Sequence, residues 1–220
     1  MSTAPLVSIS GASVRYGRDS VLRDATLEVF SGEVVGIVGA NGSGKSTLLR
    51  VAVGLLAPDA GRVTLFGQSP TSVDAARRVG AAIDTPALYP WMSGPAALKS
   101  LLGLAGEADR GRVAAALEQF DLGGVGRKLI LRYSQGMRKR LVLAAAAMRS
   151  PDLLVLDEPT NALDPAGRDL VNGWIRDQAT AGRGVLMATH RPSEIQLCDR
   201  LFRLEDGTLR PVDVAEESQR

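Results

Sequence analysis

The chain has 220 residues, of which 45% are apolar and 23% are charged, and its net charge is +2. These values suit a single globular domain and provide no long basic stripe of the kind that binds nucleic acid, so we expect no nucleic-acid partner. The one cysteine, Cys198, excludes an intramolecular disulfide and suits a reducing compartment.

The N-terminal part of the chain is predicted to be rich in strands. Its first ten residues lack the basic start and long apolar core of a secretion signal, and no apolar run in the chain reaches the roughly 20 residues that span a bilayer. Turn residues separate three short β-type stretches: Leu6–Ile9, Ser13–Tyr16 and Thr26–Phe30. Apolar spacing then predicts a buried strand at Glu33–Val38, a helix over Lys45–Val53 and a strand at Gly61–Phe66.

The middle of the chain changes to helical spacing, and the last third returns to buried strands. Three helices are predicted: Ala96–Leu104, Val113–Leu122 and Gly136–Met148. Apolar runs at Leu153–Leu156 and Val185–Thr189 predict parallel strands, joined by a helical crossover over Pro165–Thr180. Asp206-Gly207 predicts the tight turn of a hairpin, and the polar tail Val214–Arg220 is predicted to fray.

These elements predict one α/β domain over residues 1–220, a parallel-sheet core interrupted by a helical lobe. We expect the core to take residues 1–84 and 151–220 and the helical lobe to take residues 85–150. No internal repeat and no low-complexity segment interrupts this order.

Residues 39–46 read GANGSGKS and match the phosphate-binding P-loop pattern between a predicted strand and a predicted helix. Backbone N–H groups of such a turn wrap a β-phosphate, and the helix N-terminus adds positive field. Lys45 is placed to reach the β- and γ-phosphates, and the Ser46 hydroxyl is placed to ligate Mg²⁺. The residues predicted to bind nucleotide are Gly39, Ala40, Asn41, Gly42, Ser43, Gly44, Lys45, Ser46 and Thr47. A nucleotide kinase shares this pattern and remains an alternative on this motif alone.

Two adjacent carboxylates follow the apolar run Leu153–Leu156. Ligands of parallel sheets bind at the carboxyl ends of the strands, which is where Asp157 and Glu158 are predicted to lie. We expect Asp157 to hold Mg²⁺ through water, opposite Ser46. We expect Glu158 to polarise the water that attacks the γ-phosphate, which makes ATP hydrolysis the predicted reaction.

Three further motifs follow in a fixed order, and together with the P-loop they give a family resemblance. Residues 133–137 read YSQGM, residues 161–164 read NALD, and His190 follows the predicted strand Val185–Thr189. The first resembles the signature loop of ABC-type ATPases, the second their D-loop, and His190 their switch histidine. Over nearly its whole length the chain resembles this family. Gln135 and Met137 depart from the usual signature, which has Gly and Gln there.

The resemblance implies a P-loop NTPase core with an N-terminal antiparallel β subdomain and an inserted helical lobe. It also implies that two ATPase subunits, here expected to be identical, enclose two ATP molecules, with Ser134 and Gly136 closing on the γ-phosphate held by the other subunit. By the same resemblance, His190 contacts the γ-phosphate, Asp164 belongs to the nucleotide site, and Tyr16 stacks on adenine. Simple packing remains the alternative for Tyr16.

The resemblance further implies a separate membrane permease, which would hold this chain on the cytoplasmic face of the cell membrane. The position where the family has a Gln that touches Mg²⁺ is Asp84 here, in a segment, residues 83–89, that resembles the bacitracin-type antibiotic exporters. Asp84 is therefore a predicted metal ligand, and Thr85 to Trp91 are expected to line a groove for the permease. We expect an exporter of a drug or antibiotic, with an importer ATPase and an ABC-type ATPase acting on nucleic acid or the ribosome as alternatives.

Overall fold

The computed structural model describes residues 4–83, 88–104, 110–125 and 128–219. The strands are β1 (Val7–Tyr16), β2 (Asp19–Val29), β3 (Val34–Val38), β4 (Ala60–Leu65), β5 (Val79–Ala82), β6 (Leu153–Asp157), β7 (Gly184–Ala188), β8 (Arg200–Glu205) and β9 (Thr208–Val212). The helices are α1 (Lys45–Ala52), α2 (Val73–Arg77), α3 (Gly94–Leu104), α4 (Arg110–Gln119), α5 (Gln135–Ala147), α6 (Pro165–Thr180), α7 (Pro192–Ile195) and α8 (Val214–Glu217). Two short 3-10 turns cover Gly123–Val125 and Ile130–Arg132.

The strands form two sheets. An antiparallel sheet has the order β2-β1-β4, and a larger sheet has the order β5-β6-β7-β3-β8-β9. In the larger sheet every neighbouring pair is parallel except β8 and β9, which form a hairpin. The α/β class predicted from the sequence, with its parallel-sheet core and N-terminal antiparallel strands, is confirmed.

The central strands β3 and β7 are buried at all five positions, and β6 at four of five. Helices cover both faces of a parallel sheet, so both sides of each strand need apolar residues. The register pairs Asp157 and Ile37 with Ala188, which brings the carboxyl ends of these three strands to one edge of the sheet. The chain leaves β3 at that edge into residues 39–46, β6 into Glu158 and β7 into Thr189 and His190.

Helices α3, α4 and α5 follow β5 along the chain and pack together. The ring of Phe120, just after α4, meets the ring of Trp174 on α6 edge to face, with centroids 5.0 Å apart. Such aromatic pairs fix the relative position of the elements that carry them. In the described part of the chain, no helix has both the length and the apolar composition needed to cross a bilayer.

Three sequence-based expectations about elements were wrong or incomplete. The three predicted N-terminal stretches form only two long strands, because Gly11 with φ +63° does not end β1 but forms a bulge within it. The tail, expected to fray, contains the helix α8, where the Asp213 carboxylate caps the first turn and Arg203 pairs with Glu217. Elements α2, β5 and α7 were missed, since they are only four or five residues long.

Cys198 lies between α7 and the sheet, where its thiol donates to the backbone carbonyl of Glu194. Burial, with the charges of Asp199 and Glu194, raises the pKa of this thiol from 9.0 to about 12. Since the folded state holds this proton more tightly than the unfolded state, the stability that Cys198 contributes is present below about pH 9 and is lost as the pH rises toward 12.

We expect Cys198 in the folded protein to resist iodoacetamide at pH 8, because only the thiolate attacks and only an exposed thiolate is reached. The same reagent should label the protein fully in guanidinium chloride. Mass spectrometry reports one site without ambiguity, since the chain has one cysteine. Equal labelling rates in the two conditions would contradict the burial and the raised pKa.

Candidate active site

The loop of residues 39–46 connects β3 to α1, and two of its glycines allow it to pack closely against neighbouring strands. A Cβ on Gly39 would lie 2.5 Å from the carbonyl oxygen of Leu204. Gly44 has φ +105°, and a Cβ there would lie 2.8 Å from the Val21 side chain. The loop is therefore packed against β2 and β8 too closely for any larger residue at either position.

Lys45 begins α1 and is buried against the loop that precedes it. Its ammonium donates to the carbonyl oxygens of Gly39 at 2.8 Å and Ala40 at 2.9 Å. Lys45 also lines a cavity of about 360 Å³, together with other residues of the loop. The cation is thus held at the place where the P-loop pattern predicts phosphate binding.

Ser46 and Asp157 come from different elements and meet at the end of the sheet. The Ser46 hydroxyl donates to Asp157 Oδ2 at 2.6 Å. A hydroxyl and a carboxylate side by side are the hard oxygen ligands that Mg²⁺ prefers, so the pair fits the predicted metal. Within the described ranges, no cluster of three or more His, Cys, Asp or Glu side chains could hold a metal by itself. In Mg²⁺ sites, substrate phosphates and waters supply the rest of the shell.

Glu158 lies directly beyond β6 with φ +45°, in the left-handed region. A non-glycine residue there costs on the order of 1–3 kcal/mol and persists only where neighbours fix it. Its N–H donates to Ala188 O at 2.9 Å, and the Asn161 amide donates to Glu158 Oε2 at 3.1 Å. His190 Nδ1 lies 3.3 Å from Glu158 Oε1. The structure therefore brings together the two groups predicted to act on water and on the γ-phosphate.

Two cavities meet at these carboxylates. Ser46, Asp157 and Glu158 line both the 360 Å³ cavity at the P-loop and a second cavity of about 530 Å³. The second cavity continues along α5 past Lys139 and along the D-loop past Asn161. The predicted metal ligands and the predicted base thus lie between the nucleotide loop and α5.

Tyr16 ends β1 about half exposed, and it lines the P-loop cavity with Asn41, Gly42 and Thr47. An accessible ring at the mouth of this cavity is placed to stack on a base. Adenine stacking by Tyr16 stays a prediction. Gly39, Ala40 and Ser43 line a neighbouring cavity, which shares Asn41 and Gly42 with the first.

Ser134, Gly136 and Asp164 are not among the residues that line the P-loop cavity of their own chain. Ser134 caps α5, where its hydroxyl accepts from the Met137 N–H at 3.1 Å. Asp164 caps α6 in the same way, accepting from the Gly167 N–H at 3.0 Å. A Cβ on Gly136 would lie 3.1 Å from Ala162 O, so the start of α5 packs on the D-loop. Asp84, the remaining predicted metal ligand, lies outside the described residues.

The sequence analysis missed two charged residues at this site. The Lys139 ammonium on α5 donates to Asp157 O at 2.7 Å. Burial lowers the pKa of Lys139, against the opposing charges of Asp157, Glu158 and Glu194. Glu194 on α7 is buried behind the D-loop. Lys139 belongs to a run of basic residues, which in a helix usually indicates a solvent-exposed face. No motif in the sequence points to Lys139 or to Glu194 as a site residue.

The sequence model of the family described as "ABC transporter" matches residues 22–161. This is well over half of the chain and includes the P-loop, the signature loop and the two carboxylates. The chain belongs to the ABC transporter family. It is an ATP-binding subunit of that family and an ATPase. The nucleotide kinase alternative is excluded by this match.

Curated relatives cover almost the whole chain. It is 37% identical over 210 residues to an uncharacterised ABC transporter ATP-binding protein of Bacillus subtilis, with 94% of this chain and 68% of the relative covered. It is 39% identical over 217 residues to a daunorubicin resistance ATP-binding protein of Streptomyces coeruleorubidus, covering 96% and 69%. It is 37% identical over 213 residues to a Nod factor export ATP-binding protein of Burkholderia orbicola, covering 94% and 70%.

Solved structures agree with the fold. The ATP-binding subunit of an ABC transporter superposes with a TM-score of 0.86 at 26% identity, covering 96% of this chain and 91% of that one. A dimeric ATP-binding cassette bound to ADP and phosphate superposes equally well at 22% identity, covering 94% and 98%. The second comparison supports the fold of the ABC subunit and no more.

Proposed function

We propose that this ATPase drives export of a drug-like or antibiotic-like compound through a separate membrane permease. The observation that carries the ATPase role is the meeting of Ser46 with Asp157 and of Glu158 with His190 at one edge of the sheet. The direction is supported by relatives named for daunorubicin resistance, Nod factor export and lantibiotic transport. The importer alternative has no such support among these names.

The proposed chemistry assigns one task to each side chain. Lys45 neutralises the β- and γ-phosphates, and the P-loop N–H groups bind their oxygens. Glu158 accepts a hydrogen bond from the attacking water and orients it, while His190 fixes the Glu158 carboxylate and faces the γ-phosphate. When bound, Mg²⁺ would draw charge from the phosphates, with Ser46 as a direct ligand and Asp157 acting through water.

A second copy of the chain completes this proposed site. At the start of α5, Ser134 is exposed, and neither Ser134 nor Gly136 lines the P-loop cavity of its own chain. A helix N-terminus is an anion site, so Ser134 and Gly136 of one copy are suited to the γ-phosphate on the other. We infer a homodimer with two ATP molecules at its interface, in which ATP binding closes the two subunits and hydrolysis releases them.

The proposed docking site for the permease is an aromatic patch, formed by Tyr89, Trp91, Leu129 and Leu131. These four side chains are between 40% and 70% exposed, and the ring centroids of Tyr89 and Trp91 are 5.0 Å apart. Backbone bonds from Leu131 N to Pro90 O and from Ile130 N to Met92 O hold the two segments together. A cluster of exposed large apolar side chains is typical of an interaction surface. The sequence also allows these residues simply to pack the base of the helical lobe, but Tyr89 and Trp91 are 50% and 70% exposed, which favours an interaction surface.

We expect Trp91→Glu to leave ATP hydrolysis by the purified chain unchanged and to abolish binding to the permease in detergent. The substitution places a charge in the centre of the patch, where an apolar contact must be desolvated. Leu55→Glu is the matched control, since Leu55 lies three residues beyond α1, is 68% exposed and is outside the patch. Retained binding by Trp91→Glu would place the docking site elsewhere.

Export is tested by producing the chain together with its permease in a drug-sensitive host. The expected result is growth at higher concentrations of at least one compound in a panel of anthracyclines and peptide antibiotics. The gain should disappear with Glu158→Gln, because transport then lacks hydrolysis. A pair that assembles and hydrolyses ATP, yet protects against no compound in the panel, contradicts export of this substrate class.

A further inference from the structure

Glu194 is a buried acid that joins two segments of the active site. Its side chain is 1% exposed, and both Thr160 and Thr189 are fully buried around it. Glu194 Oε1 accepts from the Thr160 N–H at 3.0 Å and from the Thr160 hydroxyl. Glu194 Oε2 accepts from the Thr189 hydroxyl. One carboxylate therefore ties the start of the D-loop to the end of β7.

Both threonines stand next to residues with proposed roles in hydrolysis. Thr160 follows Glu158 by two positions, and Thr189 directly precedes His190. Glu158 is held with φ +45°, and a backbone in that region needs neighbours that fix it. The hydrogen bond from Glu158 N to Ala188 O fixes the backbone on one side of Glu158. The hydrogen bond from Thr160 N to Glu194 fixes it two residues later.

Lys139 contributes a positive charge to the surroundings of this carboxylate. The Lys139 ammonium interacts with the charges of Asp157, Glu158 and Glu194, and it bonds to the backbone oxygen of Asp157. The three hydrogen bonds described for the Glu194 carboxylate are all donated by its partners, which is the arrangement that suits a carboxylate acceptor. Charge-assisted bonds of this kind are short and directional, so they fix geometry more strongly than apolar packing.

We propose that Glu194 is a positioning residue for ATP hydrolysis, holding Glu158 and His190 at the separation that the reaction requires. The proposal rests on the proposed roles of Glu158 and His190 in hydrolysis. Glu194 touches neither nucleotide nor water in this account and acts through Thr160 and Thr189. Its loss should therefore change the rate of the chemical step and leave ATP affinity unchanged.

The test compares Glu194→Ala with Glu194→Gln in steady-state ATP hydrolysis and in binding of a fluorescent ATP analogue. We expect Glu194→Ala to lower kcat by about 10²-fold, the effect of a misplacement near 1 Å, with KM and analogue affinity unchanged. Glu194→Gln should recover most of the loss, because its oxygen still accepts from Thr160 and its amide can donate to the Thr189 hydroxyl. Thermal unfolding is recorded for each variant.

Gln178→Met is the matched control for a purely structural effect. Gln178 is also buried and accepts from Arg183, but it lies near the amino end of β7, at the edge of the sheet away from His190. We expect this variant to lose thermal stability and keep its kcat. The positioning role is contradicted if Glu194→Ala keeps wild-type kcat, or if the Ala and Gln variants lose kcat equally. A change confined to KM contradicts it as well.

A second pair of variants applies if Glu194→Ala does not fold. Thr160→Val removes one hydroxyl donor and keeps the shape, and should lower kcat about tenfold, while Thr160→Ser should act as wild type. Equal activity of these two variants overturns the proposal.

The Glu158→Gln variant distinguishes failure of the proposed function from failure of the positioning role of Glu194. If that variant hydrolyses ATP normally, the assigned roles of Glu158 and His190 fail. If it is inactive, normal hydrolysis by the Glu194 or Thr160 variants contradicts only the positioning role.

Discussion

Replacing Glu158 by Gln should lower ATP turnover by about 10²–10⁴-fold and leave ATP binding intact, since the amide keeps the shape of the side chain but is a poor base. The neighbours of Glu158, including His190 at 3.3 Å and the Asn161 amide, should remain in place around the new side chain. Because hydrolysis is what opens the proposed dimer, the variant should accumulate as an ATP-bound dimer. Phosphate release and size-exclusion chromatography with and without ATP measure the two effects.

Glu216→Gln is the control for that experiment, because it makes the same chemical change at an exposed position on α8. It should hydrolyse ATP like the wild type and show no ATP-dependent shift in elution beyond that of the wild type. Near-normal hydrolysis by Glu158→Gln would refute its assignment as the residue that orients water. A dead variant that stays monomeric with ATP would keep that assignment and contradict the dimer.

The second large effect is expected for Lys45→Ala, which should bind ATP weakly and show no measurable hydrolysis. The Lys45 ammonium is held at the P-loop by two carbonyl oxygens and lines the adjoining cavity. Removing it takes a positive charge away from the predicted site of the β- and γ-phosphates, where partial desolvation strengthens the interaction. A fluorescent ATP analogue measures the affinity, and circular dichroism checks that the fold is kept.

Lys99→Ala serves as the matched control for Lys45→Ala, since Lys99 is an exposed lysine on α3. This control should bind and hydrolyse ATP as the unchanged chain does. If Lys45→Ala binds the analogue as tightly as the control does, the main nucleotide site is not at residues 39–46.

The sequence predicted the parts of the fold that follow from local rules. The strands at β3, β6 and β7 were found because strands buried on both faces need continuous apolar runs. Helix α6 was found to the residue, because Asp164-Pro165 is a capping residue followed by a first-turn proline. The extent of β1 was not found, because Gly11 reads equally as a turn or as a bulge.

In the candidate site, too, the sequence predicted the residues of local motifs and missed the residues that long-range packing places there. Residues 39–46 and Asp157 were predicted because the motif spacing reflects phosphate and metal chemistry, and the structure brings Ser46 and Asp157 together. Lys139 and Glu194 were not predicted, because their roles depend on which helix faces pack against the strand ends. Helix α5 shows little contrast between its two faces in sequence, and α7 is only four residues long. Long-range packing of this kind leaves no local pattern in the chain.

The central claim is that each ATP is hydrolysed between the P-loop of one copy and the signature loop of another, and mixing two inactive variants tests it most directly. Lys45→Ala disables the P-loop, and Ser134→Asp keeps the cap of α5 while adding a charge that repels phosphate. Each variant alone should be inactive. In an equal mixture, half of the dimers are mixed and each mixed dimer has one intact site, so turnover should recover to about a quarter of wild type. A mixture no more active than its two components would contradict the shared site.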